Sequence, residues 1–396
     1  NYIEFSNQVF RDNIKTVQFH RTGWDLSPPL MEFNSGETLT LSFDDLDADG
    51  KEYLFTIVHC DADWKPSQLE KYEYIDGYFE DFIYEYRFSS NTIVPYTHYE
   101  LIFPTADLQP KLAGNYMMKV FVENEDSLCF TRQFRIVEKK VTIEGNIKQA
   151  TEISQRNYKQ EVDFVINTGN YRIVNPYRDL KVVIRQNGRW DNAIRNLKPK
   201  MAVSGKVDYN YDYENVFNGN NEFRSADFKS LNYYTENIQR IEYTHEGYQV
   251  YLKPAEKRTF RVYKLEDDIN GKFKIKTEDQ DLSEIASEYV NVRFTLKYPA
   301  PMVDADIFVL GELSDWNFVE ANKMSYNFKS KSYEKTMLLK QGYYNYHFVI
   351  KYHDEEAGDA AFIEGNHWET ENEYTIYVYN REPGDQYDKL IGVANL

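Results

Sequence analysis

Apolar and polar residues alternate with a period of two in run after run along this chain. Leu39, Leu41 and Phe43 alternate with Thr40 and Ser42. Tyr116, Met118, Val120 and Val122 form the next clear row, then Val162, Phe164 and Ile166, then Tyr248, Val250 and Leu252. Val292, Phe294, Leu296 and Tyr298 follow, and Tyr374, Ile376 and Val378 close the series. Side chains of an extended strand point to opposite faces in turn. Each run therefore predicts a strand with an apolar row on a core and a polar row in solvent. Turn signals separate the runs: Asn34-Ser35-Gly36, Asp49-Gly50, Gly114-Asn115, Asn187-Gly188, Asn218-Gly219 and Asn270-Gly271. No segment carries a long stripe of helical period. Short helical turns are expected at 281–289, with Ser283 as N-cap, and near 67–72.

Many short strands with frequent turns predict an all-β chain of three consecutive immunoglobulin-like (E-set) β-sandwich domains. Two charged seams, Glu138-Lys139-Lys140 and 276–288, place the domains at 1–139, 140–288 and 289–396, each near the common domain size. Composition agrees: 34 Tyr and 25 Phe in 396 residues are the side chains that suit a pleated, half-buried surface. Lys plus Arg total 46 and Asp plus Glu 64, a net charge of −18. That balance argues against nucleic acid, which needs a basic face, and against electrostatic docking on anionic lipid. No run approaches 18 apolar residues, so no transmembrane helix is expected. The chain opens at Asn1 on a polar stretch, so if the protein is exported its leader is expected to have been removed. Two thiols, Cys60 and Cys129, make no disulfide framework and are expected to be small buried hydrophobes rather than a bonded pair.

Candidate chemistry is sparse. Asp45, Asp47, Asp49 and Gly50 match the front of a calcium-binding EF-hand loop, but position twelve is Thr56 where a bidentate carboxylate is required. An acidic hairpin turn is the expected reading. His59, Cys60, Asp61 and Asp63 are close in sequence, yet strand alternation sends His59 and Cys60 to opposite faces, so no metal site is expected. The seven His include no HExxH pair, and there is no GxSxG, Walker or dinucleotide-binding loop. Nothing points to an enzyme or to a cofactor. Three polar loops with unusual aromatic content remain: 185–192 with Arg185, Arg189 and Trp190, 214–224 with Phe217, Phe223 and Arg224, and 364–372 with His367 and Trp368. Trp, Arg and Phe are residue types of interface hot spots, which makes these eight the candidate partner-binding residues. The same rings also plug sandwich ends, and the sequence leaves both readings open.

Towards the end of the chain, Asp306-Ile-Phe-Val-Leu-Gly311, Asp315-Trp316-Asn317 and Gly342-Tyr-Tyr-Asn-Tyr346-His-Phe348 resemble the glycogen- and starch-binding module family. That resemblance implies an immunoglobulin-like sandwich, with Trp316 as one of two sugar-stacking rings, and supplies an alternative reading as a glycan-binding protein. A wider resemblance spans nearly the whole chain. It is carried by 13–18, Asn34-Ser-Gly-Glu-Thr-Leu39, Leu41-Ser-Phe-Asp-Asp45, Ile57-Val-His-Cys-Asp-Ala-Asp-Trp64, Pro110-Lys-Leu-Ala-Gly-Asn-Tyr116, the three polar loops, Leu339-Lys-Gln-Gly-Tyr-Tyr-Asn-Tyr346 and Tyr387-Asp-Lys-Leu-Ile-Gly392. In these the chain resembles the plug protein family of the type IX secretion system of Bacteroidota. The resemblance implies a periplasmic, non-enzymatic protein. It would be a monomeric subunit of a larger complex that binds the giant outer-membrane translocon barrel and closes its periplasmic mouth.

Overall fold

A computed structural model describes residues 5–396 of the chain. Its strands gather into three sandwiches, each around its own apolar core. In the first, a six-stranded sheet runs Gln8–Val9, Leu128–Val137, Gly114–Phe121, Tyr53–Cys60, Asp81–Ile83, with Leu30–Glu32 added parallel to Leu128–Val137. It faces a sheet of Ile14–Arg21, Leu39–Asp45, Thr97–Phe103 and Glu85–Phe88. Aromatic rings fill the space between them: Phe43 stacks on Tyr99 with centroids 5.0 Å apart and meets Tyr53 edge-on at 5.0 Å. Offset and edge-to-face pairs of this kind add to plain area burial.

The middle sandwich begins with Thr142–Gln149, Lys159–Asn167, Lys206–Asp208 and Met201–Val203, with Val216–Asn218 also on Lys159–Asn167. Its second sheet runs Ile194–Arg195, Leu180–Gln186, Tyr374–Asn380, Lys389–Asn395. Two of those four strands come from the end of the chain. The last sandwich is built from what lies between. Arg224–Asp227, Gly342–Tyr352 and Phe273–Ile275, with Ala305–Leu310, face a sheet of Ile238–Thr244, Gly247–Leu252, Tyr289–Lys297, Ser332–Lys340 and Ser325–Asn327.

This connectivity differs from three consecutive units. The expected cut between 288 and 289 runs through a sheet, because Gly247–Leu252 pairs in parallel with Tyr289–Lys297. Tyr374–Asn380 pairs along its whole length with Leu180–Gln186 and not with the strands of 289–352. Sequence neighbours suggested otherwise because alternation marks a strand without naming its partner. The 138–141 stretch does mark a change of sheet, and its amides of Glu138 and Lys140 donate to Leu390 and Ile391 at 3.0 and 2.9 Å.

Two local expectations also change. The polar rows of Leu39–Asp45 and Tyr374–Asn380 are not in solvent: both strands are buried on both faces, because each lies between two sandwiches. The helical turn at Ser283–Ala286 has Leu282 rather than Ser283 as its N-cap, and the Ser283 hydroxyl accepts instead from the Thr277 amide at 3.2 Å. A second turn, Lys71–Tyr74, is closed by Glu73 accepting from the Glu70 amide at 2.7 Å.

Candidate functional site

The three polar loops lie where the sandwiches meet. Segment 214–224 carries the chain from the middle sandwich into the last, and 364–372 carries it back. The two crossings are zipped together. The Asn220 amide donates to Asn366 Oδ1 at 2.9 Å, His367 N to Asn220 O at 2.8 Å, and Asn221 Nδ2 to Glu364 O at 2.8 Å. A Cβ on Gly219 would fall 1.9 Å from His367 O, so only glycine lets the crossings approach this closely. Phe217 belongs to the middle core and packs on Tyr374 at 5.2 Å. Phe223 stacks on His347 at 3.8 Å. Arg224 donates to Glu364 through Nε at 3.0 Å, and Arg258 reaches the same carboxylate at 2.8 Å. His367 and Trp368 are half-buried, and Gln160 Nε2 ties down the Trp368 carbonyl at 2.7 Å.

Loop 185–192 bridges all three sandwiches. Arg189 is buried, paired with Asp191 at 2.5 Å and bonded to the Gly358 carbonyl of the last sandwich at 2.6 Å. Trp190 turns toward the first sandwich, where its Nε1 donates to Gln133 Oε1 at 3.0 Å and its ring meets Trp64 at 6.1 Å. Arg185 lies over the Trp190 ring at 4.6 Å. Of the eight residues singled out from sequence, Arg189, Phe217 and Phe223 are buried inside the chain and the other five are half-buried at its internal seams. Their chemistry holds sandwiches together: asparagines satisfy irregular backbone at the crossings, and arginines neutralise carboxylates buried there.

Other candidates resolve similarly. The acidic turn at 45–50 is neutralised by Lys51, which contacts Asp45 at 2.7 Å, Asp49 at 3.4 Å, and Asp47. His59 is buried between Tyr116 and Tyr387, at 4.9 and 5.1 Å, and burial pushes its pKa down to about 4. Cys60 and Cys129 are free, buried thiols. Trp316 is no open sugar platform. A Cβ on Gly188 would come within 2.0 Å of its Nε1 and one on Gly271 within 2.3 Å of its ring, so the indole is wedged between the middle and last sandwiches.

The surface that does present aromatic side chains was not among the sequence candidates. Segment 72–88 holds eight aromatics in 17 residues: Tyr72, Tyr74, Tyr78, Phe79, Phe82, Tyr84, Tyr86 and Phe88. Tyr74 and Ile83 anchor it in the first core. The other seven rings are exposed, led by Tyr84 at 71% and Tyr78 at 69%. Asp81–Ile83 is the edge of the six-stranded sheet and Glu85–Phe88 the edge of the four-stranded one, so the rings line both open edges on one side of the sandwich. Phe82 and Tyr84 touch at 5.8 Å, as do Tyr86 and Phe88. Isolated edges are normally blunted by Lys, Pro or cover. Here only Glu85 and Arg87 interrupt the aromatic row of the second edge. Exposed aromatic rings on open strand edges are a feature that protein-docking surfaces share. Eight aromatics in 17 residues, against 16% overall, was the signal available in the sequence.

Comparison with known proteins supplies the context. No curated protein matches the chain. A crystal structure of a hypothetical protein from Parabacteroides merdae ATCC 43184 is 35% identical, with a TM-score of 0.96 over 99% of both chains. The C-terminal domain of the antigen I/II-family protein AspA of Streptococcus pyogenes is 8% identical over 97% of this chain and 99% of its own. Its TM-score of 0.17 carries no structural argument. Residues 14–138, the first sandwich with its aromatic edge, match the family model of the type 9 secretion system plug protein 1st domain. Those residues thus form a first domain of the type 9 secretion system plug protein family.

Proposed function

We propose that this protein is a periplasmic plug of the type IX secretion system, which docks on the outer-membrane translocon barrel and seals its periplasmic mouth when no substrate passes. The observation that carries the reading is the match of 14–138 to the plug first domain. The exposed aromatic edge within those same residues gives the docking a physical basis, because open strand edges offer backbone hydrogen bonds and the flanking rings offer hot-spot area. Sealing needs a stiff body and complementary contacts rather than titrating groups, and the role is structural, not catalytic.

The test uses the tagged chain on outer-membrane extract, with the captured barrel identified by mass spectrometry, and then the reconstituted barrel in a planar bilayer. The wild-type chain captures the barrel and lowers its conductance. Tyr84→Ser/Tyr86→Ser/Phe88→Ser, which removes three exposed rings, loses capture by more than tenfold with an unchanged melting temperature, each anchor being worth about 1–2 kcal/mol. Failure of the wild-type chain to recover the barrel would overturn the reading. Capture without a conductance change would leave association and remove the plugging role.

A further inference from the structure

At the meeting point of the three sandwiches lies a cavity of about 270 Å³. Its lining carries five cationic side chains, four carboxylates and several aromatic rings, in a chain of net charge −18. Arg132, Arg135, Arg185, Arg195 and Lys272 face it, together with Trp64, Trp190 and Tyr377. The carboxylates that line it are largely engaged. Asp315 pairs with Arg132 at 3.2 Å, Glu373 pairs with Lys272 at 2.7 Å, and Glu312 accepts the Phe273 amide at 3.0 Å, while Asp63 lines it from the turn after Tyr53–Cys60.

Arg135 and Arg185 are different. Arg135 is only 3% exposed, and its Nε and Nη2 have no hydrogen-bond partner among the described residues. The Arg185 Nε is buried and equally unpartnered. Both are held by their flat faces: Arg135 stacks over Tyr377 at 4.3 Å, Trp64 at 4.6 Å and Trp190 at 5.2 Å, and Arg185 over Trp190 at 4.6 Å. Stacking satisfies the faces of a guanidinium but leaves its in-plane N–H donors unused. Buried unmet donors are costly, and two like charges packed together add to the cost. Burial, with Arg135 adding its repulsion, pulls the Arg185 pKa below the usual arginine value. These donors are buried, so a planar anion reaches them edge-on only with a small shift of the stacked rings, after which the guanidinium fork matches a carboxylate in two parallel hydrogen bonds.

We propose that this cavity is a binding site for a small carboxylate, gripped by the in-plane donors of Arg135 and Arg185 between the rings of Trp64, Trp190 and Tyr377. Such a carboxylate is either a free small molecule or the acidic terminus of a peptide. The site stands independently of the secretion role, because it rests on residues within the chain alone.

The test is isothermal titration of the full chain, at constant ionic strength, with sodium benzoate and separately with an N-acetylated tripeptide ending in glutamate. At least one binds saturably and shifts tryptophan fluorescence with the same midpoint, and its affinity falls at least tenfold in Arg185→Gln and in Arg135→Lys. The second variant keeps the charge and removes the fork. If Arg135→Lys does not fold, Arg185→Gln, at the less buried of the two positions, decides alone. Tighter binding of the peptide assigns the site to a chain-borne carboxylate; binding of benzoate only assigns it to a free one. No saturable binding of either probe, or unchanged affinity in the folded variants, overturns the proposal.

Discussion

Glu364 offers the sharpest test of how the last sandwich is held. Its carboxylate is fully buried, accepts from the Phe348 amide at 2.9 Å, and pairs with Arg224 at 2.9 Å and Arg258 at 2.8 Å. Burial alone would raise its pKa, but the two guanidinium groups outweigh it and hold the value at about 2 against the usual 4.5. That difference of about 2.5 pH units, at about 1.36 kcal/mol each, is about 3 kcal/mol favouring the ionised, folded form. The folded pKa is depressed, so this stability is complete above pH about 4.5 and is lost as pH falls towards about 2. Glu364→Gln keeps the shape and removes the charge, leaving two buried guanidinium groups without their counterion. At pH 7 it should destabilise the last sandwich by about 3 kcal/mol, in the range for breaking a buried pair. Urea titration followed by tryptophan fluorescence, with hydrogen exchange at the Phe348 amide to keep the readout local, measures the gap at pH 7 and pH 3. The wild-type advantage should shrink by more than half at pH 3. An equal gap at both pH values would refute the electrostatic account and leave only a packing effect.

Lys340→Met should cost about 3–5 kcal/mol in urea titration, because it strips Asp44 of a buried ammonium 2.6 Å away between the first and last sandwiches, whereas adding Asp44→Leu should recover only part of the loss, since Tyr289 and His98 also bond that carboxylate. The same Asp44 is pushed up by burial but held below its usual range by Lys340 and His98, so this stability is present at neutral pH and drains away as pH falls through the carboxylate range. Ending the chain after Glu373 removes Tyr374–Asn380 and Lys389–Asn395 and uncovers Leu180–Gln186. Limited proteolysis should then cut the middle sandwich while sparing the first, and full protection of both would contradict the strand pairing. Trp316→Ala should lower the melting temperature by the equivalent of about 1–3 kcal/mol, because the indole is half-buried and lines the central cavity, and wild-type protein should give no saturable heat with maltoheptaose.

How much of this was legible in the chain follows from the range of each interaction. Alternation is set by strand geometry, so the strands at 39–45, 114–121, 159–167, 289–297 and 374–380 were readable residue by residue. The partner of a strand is not local information. Tyr374–Asn380 looks the same whether it finishes the last sandwich or reaches back nearly 200 residues to Leu180–Gln186. The polar loops were visible as unusual, and correctly so, but Arg224 needed Glu364 and Arg189 needed Gly358 before they could be seen as internal struts rather than external anchors. Exposure inverted the aromatic signal too. The rings of 72–88 read as ordinary strand content because sequence does not say that their two strands are edges.

The same contacts constrain how a plug of this construction could work. Interfaces between domains usually permit relative motion unless they are large and well packed. Here the first and last sandwiches share the buried cluster of Asp44, Lys340, Tyr289 and His98, with Tyr289 donating to Asp44 at 2.6 Å. The first and middle share Asp388, which accepts from the Ala62 amide at 2.9 Å and pairs with Lys181 at 2.8 Å. The middle and last are joined by two chain crossings instead of one, so neither can rotate about a single linker. Opening any one seam would strand a buried charge at a cost of several kcal/mol. On the proposed function, release from the barrel is therefore a movement of the whole body away from its docking edge, and the place to weaken it is the exposed aromatic row and not any hinge between the sandwiches.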